Sequence, residues 1–260
     1  MKKKSIGLWI ENNAERTMHM RDTVEILGVK IDKIDFDGAV LKACELLKTD
    51  GVSAIFTPNP EIIMCACEDE EFKEILNSAD LCTADGIGVV YAARILETPV
   101  PERVAGFDVT CAVLEKMSHS GGSVFLFGAK PGVAEIAKEK MEEKYPGLKV
   151  AGTRDGYFKP EDEEEIVNQI NASGANLLLV CLGAPKQEKW IAKNREKLRV
   201  NLCMGVGGTL DVFAGVAKRS PDIFIKLNLE WLYRFAKNPS RIGRFMALPK
   251  FILKVIKENK

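Results

Sequence analysis

Three observations predict a layered α/β fold with a mainly parallel, Rossmann-like sheet and a basic helical appendage at its C-terminus. Strand-like and helix-like patterns alternate along most of the chain. One strand candidate, NLLLVCL at 176–182, is apolar almost throughout, as a strand covered by helices on both faces must be. The patterning then changes near Lys218, where basic residues dominate.

Taken in order, residues 24–31 (VEILGVKI) read as the first strand. Further strands are expected at 53–57, 81–83, 123–127, 149–152, 176–182 and 201–205. Helices are expected at 36–48, 60–66, 70–77, 86–96, 108–118, 131–144, 161–172 and 185–197. Pro131 and Pro185 stand near two helix starts, where a missing N–H costs little. Beyond Lys218 the chain reads as helix, break, helix. Asn238-Pro239 supplies a cap with Pro at the first helical position, and Pro249 is expected to kink or end the second helix. In the last piece Phe251, Ile252, Val255 and Ile256 share one helical face and Lys250, Lys254 and Lys257 the other. That pattern suits a membrane surface, and it suits equally a helix with its apolar stripe on the core.

Composition sets limits on function. The chain has 260 residues, 46% hydrophobic and 28% charged, enough for one globular domain with an appendage. Its formal net charge is zero, yet residues 218–260 hold eleven basic side chains against three acidic ones. Such asymmetry points to an anionic partner, a membrane or a nucleic acid. No run of about 18 apolar residues predicts a membrane span. The seven cysteines are scattered without a CxxC pair, which fits reduced core thiols. Residues 1–20 are polar and unpatterned and read as a loose leader, with a core at 21–217 and the appendage at 218–260.

Candidate chemistry gathers where strands end, because ligands of open α/β sheets bind there. Asp85, flanked by Gly86 and Gly88, follows one strand; it reads as a general base or as a helix cap. Thr57 and Asn59 sit between Pro58 and Pro60, which suits sugar binding or turn chemistry. Arg103 suits a bidentate phosphate contact or a surface charge. Gln187 opens a helix after the most apolar strand and can both donate and accept, as sugar hydroxyls require. Gly207 and Gly208 allow close approach of backbone to phosphate, and Asp211 suits a ribose hydroxyl. Tyr157 suits a base pocket or plain packing. The tail arginines Arg241 and Arg244 share a helix face, with Arg234 one short element earlier. No metal site is expected. Asp35-Phe36-Asp37 spells a DxD, but at a helix start where carboxylates act as caps, and two histidines are too few for zinc. No organic cofactor is expected either. The glycine turns lack GxGxxG and GK[ST], which argues against a nicotinamide oxidoreductase and a P-loop NTPase.

Four motifs occur in one order: Thr57-Pro58-Asn59-Pro60, Thr83-Ala84-Asp85-Gly86-Ile87-Gly88, GAPKQEKW at 183–190 and GVGGTLDVFAG at 205–215. With them the chain, from about Val24 onward, resembles the WecG/TagA/CpsF family of bacterial glycosyltransferases. The resemblance implies an inverting, metal-independent transfer of N-acetylmannosamine in wall teichoic acid synthesis. The donor would be UDP-N-acetylmannosamine, or within the family another donor such as UDP-N-acetylmannosaminuronate. The acceptor would be N-acetylglucosamine linked to undecaprenyl diphosphate. Asp85 is then the base, Thr57, Asn59 and Gln187 line the pocket, and Arg103 meets phosphate. Arg234, Arg241 and Arg244 would reach over the pocket to the diphosphates. The resemblance further implies a cytoplasmic enzyme held peripherally at the inner leaflet, without nucleic acid. Homo-oligomerisation stays open.

Overall fold

A computed structural model describes residues 21–227, 229–237 and 247–259, with the side chains of Asp222, Lys226, Arg234, Phe235 and Lys237 outside that description. Six parallel strands form the central sheet: β3 (Ser53–Phe56), β4 (Leu81–Cys82), β5 (Ser123–Gly128), β6 (Lys149–Arg154), β7 (Leu177–Cys181) and β8 (Leu202–Gly205). Their order across the sheet is β4-β3-β8-β7-β5-β6. Every pairing is parallel. The predicted α/β layering is therefore the fold observed. β7, the most apolar strand of the sequence, lies between β5 and β8 with all its residues buried.

Alternate side chains of each strand go to opposite faces. Phe56, Phe127, Leu178, Val180 and Cys203 join one apolar layer, whereas Ile55, Leu126, Leu177, Leu179 and Met204 join the other. Helices cover both. On the second face lie α1 (Phe36–Leu46), α5 (Gly106–Ser120), α6 (Val133–Lys144) and α9 (Thr209–Phe213). The first face carries α2 (Pro60–Ala66), α3 (Glu70–Asn77), α4 (Ile87–Ile95), α7 (Glu163–Ser173) and α8 (Lys186–Asn194). Two short tail helices, α10 (Asp222–Lys226) and α11 (Glu230–Lys237), precede a last one, α12 (Ala247–Glu258).

Three expectations need correction. Residues 24–31 are not one strand but a hairpin, β1 (Thr23–Ile26) paired antiparallel with β2 (Val29–Asp32) in a sheet of its own. Leu27 and Gly28 both have positive φ, 52° and 83°, which is the backbone of a tight two-residue hairpin turn. Leucine at the first position hid that turn, because leucine rarely adopts it. Secondly, Pro249 stands not at the end or middle of a described helix but in the first turn of α12, where it lacks only an N–H that has no intrahelical partner. Thirdly, the apolar stripe of α12 is not free for a membrane. Phe251 and Val255 are fully buried in the first apolar layer, with Ile252 packed against it. α12 packs on α2 and α4, so the end of the tail is part of the core. Among the described residues no helix is long and apolar enough to cross a membrane. The proposed leader, residues 1–20, and the Asn238-Pro239 cap lie outside the described residues.

All seven cysteines are free thiols. Cys82, Cys181 and Cys203 are buried, and burial pushes their thiols well above the ordinary range. Cys44, Cys65, Cys67 and Cys111 are half-buried, so fewer of the seven are core residues than their apolar surroundings in sequence suggest.

Candidate active site

Register fixes which loops are neighbours. Cys82, Phe56, Gly205, Val180, Phe127 and Arg154 lie side by side across the sheet. Each is at or one residue from the end of its strand, so the segments that follow form one rim. Neighbouring strands are about 4.8 Å apart. Thr57 and Asp85 are thus adjacent, Gly207 and Gly183 come next, and the turn carrying Tyr157 folds back from β6 over the ends of β5 and β7, where Gly156 N–H donates to the Ala129 carbonyl at 2.9 Å.

The Asp85 loop is tied on both sides. Asp85 donates its backbone N–H to the Pro58 carbonyl at 3.2 Å, joining the two motif loops. Thr83 Oγ1 donates to the Val104 carbonyl at 3.1 Å, and Val104 N–H donates to the Ala84 carbonyl at 2.9 Å. The segment carrying Arg103 is thereby folded back over the strand end. The Asp85 side chain is half-buried, and its Oδ2 accepts from the backbone N–H of Gly106 at 3.4 Å. It does not cap α4, whose N-cap is Gly86 without a side-chain hydrogen bond. The capping alternative is therefore set aside, and Asp85 faces the start of α5 instead. Gly86 has φ 92°, a left-handed backbone that lets the chain turn sharply after the carboxylate.

Thr57 is nearly buried beneath the same helix start. A Cβ at Gly106 would come within 2.6 Å of Thr57 Oγ1, so only glycine lets α5 approach this closely. Asn59 caps α2: its Oδ1 accepts from Ile62 N–H at 3.0 Å, which fulfils the local reading of that residue. Leu248 of α12 reaches the same region. A Cβ at Gly88 would meet Leu248 at 2.4 Å and Pro60 at 2.6 Å, so α12 backs both the Thr57 and the Asp85 loops.

Arg103 is not a bare surface charge. Its Nη1 donates to Glu230 of α11 at 2.9 Å, and its Nη2 lies 3.6 Å from Asp108. Arg219 also pairs with Asp108 and stacks over the Phe107 ring at 4.8 Å. Two cations and two carboxylates thus strap the first part of the tail onto α5. Neither Arg219 nor Glu230 stands out in the sequence, where only the tail's excess of charge is visible.

Gln187 and Glu188 stand apart in being buried. Gln187 Oε1 accepts from Gly183 N–H at 3.2 Å and from Gly207 N–H at 3.0 Å. Its Nε2 donates to Glu188 Oε1 at 2.8 Å. The amide that suggested a sugar ligand is thus occupied within the fold, bridging the loops after β7 and β8. The Gly207 N–H, in turn, is bonded to Gln187 rather than left for a phosphate. Both loops need glycine, with φ 77° at Gly183 and 41° at Gly207, and a Cβ at either would meet only open space. Both loops are therefore open at the rim among the described residues. Asp211, in the first turn of α9, lies beside Gly208, where a Cβ would be 3.9 Å from its Oδ2.

Tyr157 is 66% exposed in a turn closed by its own N–H on Asp155 Oδ1 at 2.8 Å. Lys186 anchors that turn through the Gly156 carbonyl at 3.2 Å and lies over Phe158. Asp35, first of the DxD, caps α1 through Gly38 N–H at 2.8 Å. Arg234 belongs to α11, but its side chain, and Arg241 and Arg244 entirely, lie outside the described residues.

The rim thus combines a half-buried carboxylate, helix starts and open glycine loops, a site suited to group transfer with an anionic leaving group. The family described as Glycosyl transferase WecG/TagA/CpsF matches residues 24–260. The chain belongs to that family and is a glycosyltransferase. Among its relatives is a Staphylococcus aureus protein, 37% identical over 91% of this chain and 93% of its own length. Another is from Bacillus subtilis, 38% identical over 80% of each chain, and a third from Bacillus spizizenii, 37% identical over 79% of each. All three are named N-acetylglucosaminyldiphosphoundecaprenol N-acetyl-beta-D-mannosaminyltransferase.

Proposed function

We propose that the chain transfers N-acetylmannosamine from UDP-N-acetylmannosamine to the 4-hydroxyl of N-acetylglucosamine linked to undecaprenyl diphosphate. The reading rests on the relatives' names for the sugar and acceptor, and on one observation for the chemistry. That observation is Asp85, half-buried at the carboxyl edge between the Thr57 loop and the start of α5. Its carboxylate takes the proton of the acceptor hydroxyl while that oxygen attacks the anomeric carbon. The bond to UDP breaks on the opposite face, which inverts an α-linked donor to a β-linked product. Thr57 and Asn59 hold the sugar: the Asn59 oxygen is engaged as a cap, so its amide N–H groups are the ones that face a ligand.

UDP leaves with negative charge that cations and helix dipoles stabilise. The 15-residue helix α5 starts beside Asp85, and Arg103 stands at its entrance. Arg103 is shared with Glu230 and Asp108, so a diphosphate competes with those carboxylates for it. Arg234, Arg241 and Arg244 complete the cationic set, Asp211 and Tyr157 hold the nucleoside, and Gln187, Gly207 and Gly208 shape the wall beneath it. Membrane contact is assigned to the basic tail. Its lysines Lys250, Lys254 and Lys257 lie on α12 beside the exposed Leu253 and Ile256, each cation near an anionic leaflet contributing about 1 kcal/mol.

The test is a donor screen with a short-chain diphospholipid acceptor, read by mass spectrometry. Transfer of N-acetylmannosamine from its UDP derivative is expected. Transfer only from the uronate donor would move the chain to another branch of the family. An α-linked product would remove inversion.

A further inference from the structure

Glu188 is the least expected residue of the rim. It is 1% exposed, and its Oε2 is a buried oxygen without a hydrogen-bond partner. Its Oε1 has one neighbour of note, the Nε2 of Gln187. Burial pushes this carboxyl up to about 7, an effect only partly offset by the hydrogen bonds from Gln187 and from its own backbone N–H. The thiols of Cys65 on α2 and Cys82 on β4 are close enough to feel its charge. On the outer side, Lys189 is held by Asp69, the N-cap of α3, and by Glu71 in its first turn. A carboxyl in such a place costs stability, and the fold shows one return for it.

That return is orientation. A glutamine amide has two orientations of nearly equal shape, with opposite hydrogen-bonding character at each end. Gln187 has two N–H donors aimed at one end, those of Gly183 and Gly207. Only the orientation with Oε1 at that end satisfies them. An acceptor at the other end enforces it, and Glu188 supplies that acceptor. Space adds a second constraint: a Cβ at Gly205 would lie 3.2 Å from Gln187 Nε2 and 3.3 Å from Phe56. The amide therefore sits tightly over the end of β8 and has little room to turn.

The geometry points to Glu188 as a positioning residue for the transferase reaction. Through Gln187 it fixes the two glycine loops that border the open part of the rim where a nucleoside diphosphate binds. It touches no substrate, and its action is wholly through the amide. The assignment of the nucleotide to that part of the rim rests on the function proposed above; the brace itself does not.

Three substitutions separate the acceptor from the charge. Glu188→Gln keeps an acceptor oxygen and removes the charge. Glu188→Asp withdraws the acceptor by one methylene, and Glu188→Leu removes it. Amide hydrogen exchange at Gly183 and Gly207, measured without nucleotide, reads the brace. Exchange in β5 serves as the control for general loosening. Asp and Leu should raise exchange at both glycines roughly tenfold relative to β5, and Gln should leave it within about threefold of wild type. UDP titration by calorimetry should follow the same order. If Leu fails to fold, the Asp variant decides. Unchanged glycine exchange in the Asp variant would overturn the proposal, as would a Gln variant as loose as Asp. Failure of the wild-type protein to bind UDP would instead sink the uridine-donor reading and leave exchange to judge Glu188.

Discussion

The rim has two halves that look alike in sequence and differ in the fold. Both place an acidic residue beyond a strand end, Asp85 three positions after β4 and Glu188 seven after β7, in the first turn of α8. Asp85 is half-buried, and its carboxylate meets the N-terminus of a 15-residue helix. Glu188 is buried and meets the Gln187 amide and its own backbone N–H. On the Asp85 side the proposed acting side chain is half-buried at the rim, beside a buried Thr57 and a capping Asn59. On the Glu188 side the side chains are drawn under the rim, and the backbone of the glycine loops forms the wall. A polar residue after a strand thus marks the rim, but how deeply it is buried depends on contacts that the local sequence does not show.

The halves also differ in support, which gives the largest predicted effect on stability. The Asp85 side is backed by α12, through Leu248 against Gly88 and through the buried Phe251. Phe251→Ala should cost about 3–5 kcal/mol in chemical denaturation. It should lower turnover while leaving amide exchange at Gly183 and Gly207 near wild type relative to the rest of the sheet. Loosened glycine loops in this variant would show that the two halves share one support.

Titration should separate the halves next. The Glu188 carboxyl is raised from 4.5 to about 7 in the fold. Its contribution is fully present below pH 4.5 and is lost as pH rises through about 7, because between those values the folded state binds more protons than the unfolded one. The loss is on the order of 3 kcal/mol. Glu188→Gln has no such slope, so the stability of wild type relative to the variant should fall across that window and level off above it. Parallel curves from pH 4 to 8 would place the carboxyl in a wetter site than its burial indicates.

The smallest effect concerns Asn59, which serves both a local and a proposed ligand role. Asn59→Ala removes the cap of α2 and should cost about 1 kcal/mol. Asn59→Asp keeps the cap but replaces the amide N–H groups, so it should restore stability without restoring the KM for the donor. Recovery of both would reduce Asn59 to a cap alone.

Much of this was legible in the sequence. The apolar run of β7 identified the parallel sheet, because a strand buried on both faces has no polar side to alternate with. The four motifs located the rim, because glycine, proline and polar residues cluster where strands give way to helices. What escaped was set by contacts between distant segments. Leu27 concealed the hairpin. The burial of Phe251 required knowing that α12 returns to α2 and α4, and its spacing fitted a membrane face equally well. Gln187 carried the chemistry of a sugar ligand, and nothing local revealed that two glycine N–H groups would converge on its oxygen. The Arg103, Asp108, Arg219 and Glu230 network joins residues more than a hundred positions apart.

The most direct test sets the two carboxylates side by side. Asp85→Asn and Glu188→Gln are assayed at neutral pH for turnover with UDP-N-acetylmannosamine and the acceptor lipid, with UDP affinity measured on the same preparations. Asp85→Asn should bind UDP normally and lose on the order of 100-fold or more in turnover. Glu188→Gln should keep both within about threefold of wild type. Near-normal turnover of Asp85→Asn, with the large loss falling on Glu188→Gln instead, would contradict the division of roles between the two sides of the rim.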